Sequence, residues 1–163
     1  MDKIDALISD MVNYYSGDPK RIQHFIKVHA FAKLIGEAEK LDAQTLFTLE
    51  AAAVVHDIGI KPAEKKYGSS SGKLQEKEGP GPARLMLTAN GFEENTIARV
   101  CFLVGHHHTY TGIDGKDYRI LVEADFLVNL YEDSAGKDAI NSAYEKIFKT
   151  ETGKKVCKKM FGL

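Results

Sequence analysis

Apolar residues recur along this chain with the period of a helix and almost nowhere with the alternation of a strand. A strand must turn every second side chain to the buried face, so this pattern excludes sheet architectures. Turn and cap residues divide the pattern. A first helix is expected from about Asp2 to Tyr15, stopping at Ser16-Gly17. Asp18-Pro19 reads as an N-cap followed by proline at the first helical position, opening a helix that reaches about Lys40. Asp42 can cap a third helix that ends near Asp57, with Gly59 as its stop. From Ile60 to Gly81, prolines, glycines and three successive serines predict the longest irregular segment. Further helices are expected over Pro82 to Asn90, from Glu93 or Glu94 into His106-His107-His108, and over Tyr118 to Glu132, with a loop from Thr109 to Lys116. One or two amphipathic helices occupy residues 134–163. Six to eight helices with short connections imply an all-α fold, an irregular helical bundle rather than an up-down four-helix one.

The chain of 163 residues fits one domain with its own core, spanning 1–163, and no repeat or linker divides it. A formal net charge of -1 gives no bulk electrostatic case for a nucleic-acid duplex or an anionic membrane. No apolar run approaches the roughly 20 residues that span a bilayer. Met1 to Asp10 alternates acids with apolar residues and lacks a signal pattern. Of the two cysteines, Cys101 sits in an apolar run and is expected as a buried small hydrophobe, while Cys157 lies in a basic tail; with nothing to suggest export, no disulfide is expected. The expected compartment is the cytoplasm. Monomer and homo-oligomer are equally open.

Histidine and aspartate fall where burial is expensive unless they are used. His24 shares a helical stripe with Val28, Phe31 and Ile35 and so faces inward. A core histidine bonded to a carbonyl is the alternative. His56-Asp57 closes an almost wholly apolar helix, Leu49 to Val55. A helix-end cap is one account of the pair. Asp57, however, opposes the helix dipole there and calls for a cation. Asp125 interrupts the apolar run Ile120 to Val128, where a salt bridge or a metal would satisfy it. Two imidazoles with two carboxylates form a nitrogen-and-oxygen shell suited to a divalent transition metal.

The order Arg21-x-x-His24, then His56-Asp57-Ile58-Gly59, then histidines before a loop, then Asp125 in an apolar helix, resembles the HD-domain superfamily of metal-dependent phosphohydrolases. The resemblance covers about residues 18–131, with the C-terminal helices, 134–163, beyond it. It implies that family's helical bundle, with His24, His56, Asp57 and Asp125 as core metal ligands. It also implies hydrolysis of a phosphomonoester or phosphodiester, such as a nucleotide. One or two divalent ions would serve, drawn from manganese, iron, cobalt, nickel or zinc. Two-metal relatives carry a further histidine where this chain has Glu78, and a later histidine pair that His106-His107-His108 matches. On that resemblance Glu78 and one or two of His106, His107 and His108 form the second set, His106 with His107 being one register of the pair and His107 the best single choice. Asp57 is the residue expected to orient or deprotonate water. Some relatives place lysine directly after the His-Asp-Ile-Gly motif; this chain has Ile60 there and Lys61 next, so Lys61 is the expected contact to a small phosphorylated substrate. The departures at Glu78 and Ile60 also support a rival, a metal-binding sensor or scaffold without turnover.

Overall fold

Ten helices and no strand make up the computed structural model, which describes residues 1–163. They are α1 (Lys3–Tyr14), α2 (Pro19–Ala38), α3 (Ala43–Val55), α4 (Ile60–Tyr67), α5 (Gly72–Glu78), α6 (Pro80–Ala89), α7 (Glu94–Val104), α8 (Lys116–Glu132), α9 (Lys137–Lys146) and α10 (Glu151–Phe161). The expected aspartate caps form: Asp18 accepts from Arg21 N and Asp42 from Thr45 N. A third, Asp2, accepts from Asp5 N and starts α1.

The count exceeds the expected six to eight because residues 60–67 and 72–78 are helical, not irregular. Pro62 was the misleading signal. It falls in the first turn of α4, where a helix leaves its N–H groups unpaired anyway. All four prolines occupy such positions: Pro19, Pro62, Pro80 and Pro82 each lie in the first turn of their helix. Gly68, at φ 65, closes α4 in the left-handed region, and the three serines reduce to the link before α5.

The core is built around α2, α3 and α8. α2 packs against both of the others, and seven successive residues of α3, Leu49 to Val55, are buried. α8 buries eleven of its side chains, among them Glu123 and Asp125. Helices that are apolar on every side belong in the centre of a bundle. Cys157, not Cys101, is the fully buried cysteine. No helix is long and apolar enough to cross a membrane.

Candidate metal centre

α2 turns His24 inward beside Phe25 and Val28. His56 follows the last residue of α3, and Asp57 stands one residue further on, in the turn before α4. The carbonyls of that turn are held from behind by α1: Tyr15 Oη donates to Asp57 O at 2.7 Å and Tyr14 Oη to Ile58 O at 3.0 Å. These bonds satisfy acceptors that a helix end leaves unpaired. Asp125 comes from the middle of α8, with its Oδ1 accepting from Asn129 Nδ2 at 3.0 Å.

Gly59 was expected as the stop of α3, yet its φ is -74, outside the left-handed region that ends many helices. Its reason is proximity. A Cβ there would stand 2.5 Å from Gln75 O and 2.8 Å from Gly79 N. The glycine of the motif lets the turn press against the junction of α5 and α6.

The donor atoms of His24, His56 and Asp57 lie within 4.8 Å of one another, and Asp125 Oδ1 approaches both imidazoles. His24 Nε2 lies 3.1 Å from Asp57 Oδ2, 3.2 Å from Asp125 Oδ1 and 3.2 Å from His56 Nε2. His56 Nε2 is 3.4 Å from each of the same carboxylate oxygens. Donors about 2.0–2.1 Å from a tetrahedral ion are about 3.3–3.4 Å apart, so these spacings match the edges of a coordination shell.

Hydrogen bonding on the far side of each ring favours the same use. His56 Nδ1 donates to Ala53 O at 2.7 Å, and His24 Nδ1 donates to Glu132 Oε1 at 2.6 Å. Those acceptors can only accept, so each Nδ1 carries hydrogen and each neutral ring turns an Nε2 lone pair inward. His107 repeats the pattern: Nδ1 donates to Val104 O at 2.8 Å, while Nε2 is buried without a hydrogen-bond partner, 3.3 Å from Asp57 Oδ1. Lone pairs and carboxylate oxygens facing one another require a cation or protons between them. The residues present therefore fit a divalent metal ion.

The electrostatics without such an ion show the same demand. Burial opposes charge on His24, yet hydrogen bonds to Asp125 and Asp57 and their negative charge outweigh it, raising the imidazole to about 11. His56 is raised to about 10 against burial, mainly by the charge of Asp57 and a hydrogen bond to Asp125. Burial resists ionisation of Asp57 and Asp125 too, but the imidazoles hold both carboxyls below their usual range. Protons on the histidines then fill the place of the missing positive charge.

A second group joins the first through Asp57: its donor atoms, with those of His107 and His108, lie within 4.8 Å of one another. The turn after α7 places the three histidines differently. α7 ends at Val104, so the three histidines follow one another through a turn. His106 stacks on Phe102, with centroids 4.0 Å apart, and bonds back to Phe102 O, away from the cluster. His108 Nε2 donates to Gln75 Oε1 at 2.8 Å; burial and the neighbouring His107 lower its pKa to about 4.

Two other expected residues lie elsewhere. Glu78, the last residue of α5, pairs with Lys66 and receives Tyr67 Oη at 3.3 Å; it is outside both donor groups. Lys61 Nζ donates to Tyr14 O at 2.9 Å and lies over the Tyr14 ring, so it does not reach the cluster. The basic residues that line the cavity above the cluster are Lys20 and Arg21. Arg21 is held there by Glu64 and by Asp18, the latter at 3.6 Å. That cavity, about 680 Å³, reaches His24, Asp57, His108 and Asp125 at its floor. Glu132, Gln75 and Asn129 went unnoticed in the sequence, where nothing marks a polar residue as the partner of a distant histidine.

A search of solved structures finds a crystal structure of a predicted HD superfamily hydrolase from an uncultured Thermotogales bacterium. The two align with a TM-score of 0.65 and 26% sequence identity, over 98% of this chain and 83% of that one. This likeness supports the HD superfamily as the chain's family. No family model matches the sequence, and no curated protein does. The HD-type all-helical bundle and the His-Asp cluster occur together here, and the cluster could hold a metal ion.

Proposed function

We propose that this chain is a metal-dependent phosphohydrolase that cleaves a small phosphate ester. The observation that carries the reading is the mutual spacing of His24, His56, Asp57 and Asp125, which suits one ion. In this reading those four would hold a first divalent ion, and Asp57 with His107 and His108 would offer a position for another. A divalent ion supplies Lewis acidity that makes water a competent nucleophile near neutral pH and draws charge from a phosphoryl oxygen.

The protein's own groups do the rest. Asp57 orients the attacking water and accepts its proton. Arg21 and Lys20, at the wall of the cavity, bind the phosphate oxygens; Arg21 is fixed in place by Glu64 and Asp18. The rival reading, a silent sensor, calls for a closed ligand shell. The 680 Å³ cavity opening onto the cluster favours a site that admits substrate.

The test uses p-nitrophenyl phosphate with protein freed of metal by a chelator and then supplied with manganese, cobalt, nickel or zinc. Phosphate release is expected to vanish on chelation and to return with at least one of these ions. Asp57→Ala is expected to abolish it while the helical circular dichroism is kept. Full activity in the chelated protein, or in the variant, would sink the mechanism.

A further inference from the structure

We propose that the substrate is a small hydroxyl-rich phosphomonoester, of the sugar-phosphate kind, and not a nucleotide. The inference rests on the hydrolase reading above and concerns the group to which the phosphate is attached. Of the 14 residues lining the cavity, Ile60 alone is hydrophobic, none is Phe, Tyr or Trp, and the two imidazoles, His24 and His108, belong to the cluster at its floor. A nucleobase is bound through its π-face or an apolar wall, and pockets for such ligands are mostly apolar with a few polar groups. Here the proportion is reversed. A base entering this cavity would lose its water and meet charged and amide side chains.

The aromatic residues near the site are committed elsewhere. Tyr15 is buried, with its hydroxyl on Asp57 O. Tyr110 packs edge-on to Phe126, centroids 5.2 Å apart, and Tyr67 faces Glu78. None offers a ring to the cavity.

The wall instead offers groups that suit hydroxyls. Asn129 spends its Nδ2 on Asp125, which leaves its Oδ1 as an acceptor toward the cavity. Asp133 and Ser70 add a carboxylate and a hydroxyl that make no hydrogen bond within the protein through their side chains, and Lys20 adds a donor. A polyol donates to the first three and accepts from the fourth, replacing the water it loses at each hydroxyl. The doubly charged phosphate of a monoester faces Arg21 and the metal positions at the floor.

The sharpest comparison is ribose 5-phosphate against adenosine 5′-monophosphate, which share the sugar and the phosphate and differ by the base. Two readings are taken on metal-loaded protein: kcat/KM for phosphate release, and the dissociation constant by calorimetry. Both are expected to favour ribose 5-phosphate, by about tenfold or more. Equal or better values for the nucleotide would overturn the inference while leaving the hydrolase reading intact. If neither compound, nor p-nitrophenyl phosphate, is turned over, the hydrolase reading fails. Calorimetry then still decides: tighter binding of ribose 5-phosphate supports the polar-ligand assignment, and no preference overturns it.

Discussion

The Nδ1 hydrogen of His24 rests on Glu132, and the other oxygen of that carboxylate takes Lys27 Nζ at 2.7 Å. Such a partner fixes the tautomer and direction of a metal-binding imidazole. Glu132→Ala is expected to weaken divalent-metal binding by about 10–100-fold, read by competition with a chromophoric chelator. Unchanged affinity would remove Glu132 from the site. Protonation supplies a second prediction. The imidazoles of His24 and His56 are raised from 6.5 to about 11 and about 10 without metal, so the folded state holds protons that the unfolded chain loses. Their contribution to stability is full below pH 6.5 and is lost as pH rises through about 10–11. A metal must displace those protons, so its binding strengthens over the same range. The gain in Tm on adding metal is therefore expected to grow from pH 6 to pH 9 in thermal scans; a gain that shrinks with pH would contradict the shared use of these nitrogens. The basic residues separate by position. Arg21→Ala is expected to raise KM for a phosphate ester by roughly tenfold, whereas Lys61→Ala, whose ammonium is turned to Tyr14, should leave KM within about twofold.

At the scale of elements, the turn after α3 depends on close approach of backbones. Gly59 meets Gln75 O and Gly79 N, and Gly79 in turn has Val104 Cγ1 at 2.6 Å from where its Cβ would stand. Gly59→Ala is expected to cost about 1–3 kcal/mol in urea unfolding, since backbone cannot yield as a side chain can. It should also disturb Gln75, and through it His108. No loss of stability would mean that the turn and the α5–α6 junction are free to part. This contact also shows where sequence reading succeeds and where it stops. The inward placement of His24 and Asp125 was legible because each interrupts an apolar stripe, and that of His56-Asp57 because the pair closes an apolar helix; an inward polar residue needs a partner. Gly59 was legible as special but not for the right reason: a stop and a close approach leave the same letter. α4 and α5 were hidden because proline reads as a breaker, although in a first turn it breaks nothing. Glu78 and His106 were carried over by alignment with a family pattern. The helix that ends at Val104 and the pairing of Glu78 with Lys66 decide which histidine and which acid face the site, and neither follows from spacing. Glu123 is buried and takes Thr150 Oγ1 and the N–H groups of Lys149 and Thr150, anchoring the start of α10, a partner that lies 26 residues or more along the chain.

On the scale of the whole molecule, the cluster joins segments far apart in the chain: α2, the turn after α3, the turn after α7, and α8. No two of these need meet unless the bundle is packed, so an ion there would link the core helices to one another and favour the folded state by mass action. The direct measurement is an anomalous-scattering map from a crystal of the protein grown with manganese or zinc. The account predicts a peak bound by His24 Nε2, His56 Nε2, Asp57 and Asp125, each donor about 2.0–2.5 Å away. A peak on Glu78 or His106, or a fully occupied crystal-wide metal elsewhere with no density among those four, would contradict it.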